Sequence, residues 1–191
     1  MKQNDLLDFL NERYGKEKGT RVYRMQQRTL KELVNEITTT SKTQQKTLKD
    51  TILPRIALYL TLQRKMDKMK ALDVVNDYLQ SKVCEENIRE YQKLEKLPCF
   101  FGLFKRIFTH IVLTSDNWTA KKVSSKPDAF QIDIHKCLWY DTCVEYGCPE
   151  LTPLFCACDD TLYSALHKIS FTRAGSIGRG NDICDFHFKK N

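Results

Sequence analysis

At 191 residues, 41% of them hydrophobic and with neither glycine nor proline in excess, the chain has material for one domain with a real core. Its formal charge of +7 arises mainly in the first 126 residues, where lysines and arginines alternate with many carboxylates as solvated helix faces. No basic stripe with interleaved aromatics argues for nucleic acid, no apolar segment after Met1 argues for a secretory leader, and the most apolar run, 100–113, is cut by Lys105, Arg106 and His110 and is too short to span a bilayer.

The expectation is a soluble cytoplasmic protein. A small anionic molecule is its economical partner, with no nucleic acid and no membrane, and a homodimer is compatible with the sequence. In that compartment the eight cysteines should be thiols, so each is core, ligand or nucleophile.

Residues 5–14 place Leu6, Leu7, Phe9 and Leu10 at helical spacing behind Asn4 or Asp5 as cap, and Gly15 and Gly19 punctuate the chain after them. A second helix is expected over 24–38, with Leu30, Leu33, Val34 and Ile37 as its stripe. The polar run 38–43 interrupts the apolar period, so a break or an exposed face is expected there. Pro54 suits the first turn of a further helix, and Val74, Val75, Tyr78 and Leu79 continue in another. Residues 85–94 form one more, and 100–108 a short helix with an apolar side.

The pattern then changes. Residues 117–123 and 129–136 read as strands about the turn cluster 124–128. Residues 140–146 look helical up to Gly147, and 149–166 form the best helix of the chain. Two final strands, 168–173 and 182–188, are joined by the glycine-rich loop 174–180. The fold class is therefore α+β: a helical part, 1–114, packed on an antiparallel sheet with interposed helices, 115–191, in a single domain.

Six of the eight cysteines lie after Lys136, so candidate chemistry concentrates there. In 130–137, alternation puts Phe130, Ile132 and Ile134 on one face and Gln131, Asp133, His135 and Cys137 on the other. That second face reads equally as solvent-facing or as a polar pocket wall. Along 149–166, at ~100° per residue, Leu151, Leu154, Phe155, Cys158, Leu162 and Ala165 form the core stripe. Thr152, Cys156, Asp159 and Tyr163 occupy the adjacent flank. Cys156 and Asp159 can meet at one site, although a half-buried thiol beside a surface carboxylate fits the same spacing.

Arg173 continues the apolar face of Ile169 and Phe171. That position is costly unless the guanidinium lies at the strand end or meets an anion, which it can hold bidentately. Cys184 shares a face with Phe186 and Phe188. Cys143 and Cys148 have no evident partner. The spacings Cys143-x4-Cys148 and Cys156-x-Cys158 lack the paired Cys-x-x-Cys of a zinc ribbon, while convergence of Cys137, Cys156, His135 and Cys184 on a metal stays open. Neither a metal nor a cofactor is expected.

At these residues the sequence resembles the L-2-amino-thiazoline-4-carboxylic acid hydrolase family. The signatures are Ile52-Leu-Pro-Arg-Ile-Ala-Leu-Tyr59, Cys137 at a strand end, Gly147-Cys-Pro-Glu-Leu151, Phe155-Cys-x-x-Asp159, Phe171-Thr-Arg173 and the closing Gly180-x-x-x-Cys-Asp-Phe186. Relatives commonly carry Arg where His187 stands, and often Cys-Pro where this chain has Cys137-Leu138. The resemblance implies hydrolytic opening of a cyclic isothiourea to N-carbamoyl-cysteine. A broader likeness is to vinyl reductase-type ligand-binding domains, whose zinc set of Glu-x-x-Cys-x7-Cys is broken here by Arg173 and Ser176 ahead of Cys184.

Taken together, pattern and resemblance assign the substrate carboxylate to Arg173 and the amidine-like nitrogens to Asp159. Cys156 or Cys137, or a water activated by His135, attacks the ring carbon. Thr152, Tyr163 and Cys184 line the substrate site. The rival class is a non-enzymatic small-ligand sensor of the same fold.

Overall fold

The chain folds as helices up to Thr114 and then as a four-stranded antiparallel sheet with helices interposed, in a computed structural model that describes residues 3–191. Two units divide it, Met1–Lys82 and Val83–Asn191.

In the first unit, Gly15 separates α1 (Gln3–Tyr14) from α2 (Lys16–Asn35) with φ +81°, a value that favours glycine. Gly19, expected to punctuate as well, sits instead inside α2. A Cβ on it would lie 2.5 Å from the Leu10 carbonyl oxygen, so its bareness lets α1 and α2 meet closely. The cap expected at Asn4 falls on a side chain outside those described, and Asp5 lies within α1.

Helix α2 both starts and ends earlier than the expected 24–38, and the chain is irregular from 37 to 41, into the polar run. Its Ser41 hydroxyl accepts the Gln44 N–H at 3.3 Å and starts a short helix that periodicity missed, α3 (Lys42–Thr47). A π-helical turn, Leu48–Ile52, leads into α4 (Leu53–Gln63), with Pro54 in its first turn. Helix α4 is buried almost all round, as its lack of a polar face requires. Asp67 caps α5 (Lys68–Tyr78) by accepting the Lys70 N–H at 3.0 Å.

The second unit carries α6 (Glu85–Glu95), α7 (Phe100–Thr114), β1 (Trp118–Ser125), β2 (Ala129–Cys137), α8 (Leu138–Glu145), α9 (Thr152–Ser164), β3 (Ile169–Thr172) and β4 (Cys184–Lys190). Helix α7 runs a turn and a half beyond the expected 108. The sheet order is β1-β2-β4-β3, every pair antiparallel.

Alternation along the two central strands is as read from sequence. Phe130, Ile132 and Ile134 of β2 register with Phe188, Phe186 and Cys184 of β4, and all six are buried. Against this face pack Phe100, Phe101, Phe104 and Val112 of α7 and Leu162 and Tyr163 of α9. Phe188 lies at the centre of the resulting aromatic cluster, with ring centroids 5.0 Å from those of Phe130, Phe104, Tyr163 and Phe171. Buried Glu95 is satisfied by accepting the Lys168 N–H at 2.6 Å, which ties the end of α6 to the start of β3. Among the described residues, no helix is long and apolar enough to cross a membrane.

The Phe188→Ala variant, which empties the middle of this cluster, should lose about 3–5 kcal/mol of stability in urea unfolding; a loss below about 1 kcal/mol would contradict the packing described.

Candidate functional site

The orientation of α9 differs from the one expected from its leucines. A 3-10 turn, Pro149–Leu151, precedes it, and the buried positions are Leu151, Thr152, Leu162, Tyr163 and Leu166. Leu154, Phe155, Cys158 and Ala165 are only half-buried, so the expected core stripe is displaced. The flank running Thr152, Cys156, Asp159, Tyr163 is the one turned towards the rest of the unit.

Two contacts hold this rotation. Tyr163 joins the aromatic cluster, and the loop between β3 and β4 lies against the N-terminal half of the flank. At Gly178 in that loop, a Cβ would stand 2.7 Å from Thr152 Cγ2 and 2.8 Å from Cys156 Sγ. A glycine is needed there because the backbone rests on the Cys156 sulfur.

Arg173 follows β3 directly. Its side chain is 4% exposed, and its Cζ lies 5.7 Å and 5.5 Å from the ring centroids of Phe171 and Phe186. Nη2 donates to the Cys156 carbonyl oxygen at 2.6 Å and pairs with Asp160 at 2.7 Å, while Nη1 stands 3.7 Å from Asp159. Asp160 also pairs with Arg179. Nε and Nη1 of Arg173 are buried with no hydrogen-bond partner.

Asp160 and Arg179 do not stand out in the sequence. Adjacent helical carboxylates point ~100° apart, and only the arginine between them shows that both face one site. Arg179 is invisible for a different reason, since nothing local says how the glycine-rich loop folds back.

Asp159 is enclosed by protein on most sides, yet 40% of its side chain meets solvent. Burial pushes its carboxyl up to about 7, with Arg173 opposing, Asp160 adding and Arg179 opposing. Tyr163 is raised by burial first and then by Asp159 and Tyr91, and Tyr91 by burial and then Asp159, so two phenols adjoin this carboxylate.

The thiols sort differently from the sequence reading. A register shift between Thr119/Ala120 pairs Thr119 with Lys136 and Ala120 with Ile134, which leaves His135 as the extra residue of a β-bulge. His135 and Cys137 therefore do not share the face expected of them. His135 is exposed, whereas Cys137 neighbours Cys184 and Cys156.

Burial drives the Cys137 thiol up to about 12 against the Tyr140 and Trp139 N–H groups, and the Cys184 and Cys156 thiols raise it further. Cys184 is pushed by burial up to about 11, although its Sγ accepts the Ile177 N–H at 3.2 Å. Cys143 and Cys148 are not partnerless: their thiols hydrogen-bond to each other, which with burial raises Cys143 far above the ordinary thiol range. Among the described residues, no group of three or more His, Cys, Asp or Glu side chains is arranged to hold a metal ion.

The site thus brings Thr152, Cys156 and Asp159 of α9 to Arg173, Asp160 and Arg179, with Cys137, Cys184 and Tyr163 around them, and leaves His135 outside. A positive group beside two carboxylates, with half-buried Cys156 one turn before them on α9, can bind a molecule carrying both charges. A scan against protein-family models matches residues 45–188 to L-2-amino-thiazoline-4-carboxylic acid hydrolase. No curated protein and no solved structure matches the chain.

In the Gly178→Ala variant the added methyl must displace Thr152 and Cys156. It should cost about 1–3 kcal/mol in chemical denaturation and alter the alkylation rate of Cys156; an unchanged rate would mean that the loop does not rest on that sulfur.

Proposed function

Because the chain belongs to the L-2-amino-thiazoline-4-carboxylic acid hydrolase family, we propose that it is a hydrolase that opens a small cyclic isothiourea, L-2-amino-thiazoline-4-carboxylate or a close analogue, to N-carbamoyl-L-cysteine. The observation that carries this reading is the meeting of buried Arg173 with the Cys156–Asp159 edge of α9, at 2.6 Å from the Cys156 oxygen and 3.7 Å from Asp159. The unpartnered Nε and Nη1 supply donors for a substrate carboxylate. In a reducing, cytoplasmic setting its eight cysteines remain thiols.

In this mechanism ionised Asp159 accepts N–H groups of the substrate amidinium and keeps it protonated, which makes the ring carbon between nitrogen and sulfur electrophilic. The Cys156 sulfur bonds to that carbon. The carbon–sulfur bond of the ring breaks, and the ring sulfur leaves with the electron pair and takes up the Cys156 proton. Water then adds to the same carbon and expels the Cys156 sulfur, which regains its proton. One water is consumed, and the carbon ends as the carbonyl of a urea.

Cys156 is favoured over Cys137, whose thiol is held up to about 12, because a buried neutral thiol is a poor nucleophile. A water activated by His135 is disfavoured by the exposed place of that residue on the bulge.

The assay is thiol released on incubation with the thiazoline. Asp159→Asn and Arg173→Met should each lower turnover about 10²–10⁴-fold, and undiminished turnover in both would sink the assignment. Cys156→Ala should fall as far if its sulfur attacks; a fall confined to Asp159→Asn and Arg173→Met would make water the nucleophile. Saturable binding without released thiol would favour a non-enzymatic ligand-binding module.

Asp159 acts only when ionised, and its raised value means that the folded protein keeps the proton up to about 7. The rate should therefore rise as pH increases through that value, then level off. A rate already at its plateau near pH ~5 would exclude this role.

A further inference from the structure

Helix α7 contains no acidic residue along its length, and its outward flank faces the β1–β2 hairpin across a cleft of about 590 Å³. Lys105, Arg106 and His110 line it from the helix and Lys122 from β1, with the hydroxyls of Thr109 and Ser125 between them, and no carboxylate lines it. Some basic side chains elsewhere are met by acids, as in Arg13–Asp77, Lys82–Glu12 and Lys93–Glu90. The four basic side chains of the cleft have no ion-pair partner among the described residues. Lys105 donates only to the Lys126 carbonyl oxygen, which leaves its charge uncancelled.

Arg106 and His110 are also one helical turn apart, where a base gains most from an acidic neighbour and here has none. Like charges held in one concave wall repel unless an anion enters.

We propose that this cleft binds a small molecule carrying a diphosphate or longer phosphate chain, at a site separate from the Arg173 cluster. Three permanent cations suit several negative charges on a compact frame better than one carboxylate. Thr109, Ser125 and the His110 ring add donors for phosphate oxygens. The lining offers no Phe, Tyr or Trp on which unpaired bases could stack, which sets it apart from a single-stranded nucleic-acid groove.

Gly102 gives the means of a test that leaves the fold alone. It lines the cleft, and a Cβ built on it meets no atom within 4 Å, so Gly102→Leu introduces bulk into the cleft without a clash at its Cβ. The full chain is titrated with inorganic pyrophosphate, free of divalent cations, by isothermal calorimetry. One saturable site is expected. It should weaken with added salt, about tenfold or more in the double variant R106Q/K122Q, and comparably in Gly102→Leu with the thermal midpoint preserved.

Three results would overturn the proposal: no saturable heat up to about 10 mM, binding equally tight in both variants, or binding to phosphatidate-containing vesicles without binding to soluble pyrophosphate. The last would reassign the cations to a lipid surface.

Discussion

A buried guanidinium is the constraint on which the second unit depends. Arg173 is removed from water at the end of β3, where an uncompensated charge would cost several kcal/mol. Its neighbours read as the compensation. Phe171 and Phe186 present ring faces, Asp160 supplies the opposite charge, and the Cys156 carbonyl oxygen accepts from Nη2. That last bond uses an oxygen from within a helix, so α9 is fastened to the sheet by its backbone as well as by Tyr163. The bond to Arg173 thus adds to Tyr163 and the Gly178 loop in holding Cys156 and Asp159 where they are.

Much of the fold was legible because the sheet obeys a strict period. Phe130, Ile132 and Ile134, and likewise Cys184, Phe186 and Phe188, alternate without interruption, and the hydrophobic pattern fixes their face. The period fails where the ladder does. The extra residue at His135 breaks the alternation before Cys137, and neither His135 nor its neighbours differ in type from those of a regular strand. On α9 the misreading has another source. Leu154 and Phe155 outweigh Thr152 and Cys156 on any hydropathy count, but the flank that wins is set by Gly178 and the aromatic cluster, both distant in sequence. Cys156, Asp159 and Arg173 could be named from spacing and family likeness together. Asp160 and Arg179 needed the loop.

The thiols illustrate how little a cysteine count says about chemistry. Three of them, Cys137, Cys184 and Cys143, are held neutral by burial, and the Cys143–Cys148 contact is a weak hydrogen bond that satisfies two enclosed groups. Cys156 lies half-buried against a backbone without a side chain and beside two arginines. Exposure alone does not pick out Cys156, since Cys99 is exposed and Cys158 half-buried; its place beside Arg173 and one turn before Asp159 does.

The strand order has a consequence for how the chain behaves among its own copies. With β2 and β4 central, β1 and β3 are the edges, and an edge strand is a template for pairing with another molecule. Strand β3 is only four residues long. Strand β1 is longer, but its ladder slips twice, at Thr119/Ala120 and Lys122/Ser124, and exposed Lys121 and Lys122 stand in its middle. A second sheet could add to it only by straightening both bulges and bringing lysines together. The irregularity that re-aims Cys137 also guards the sheet against growing into a fibre.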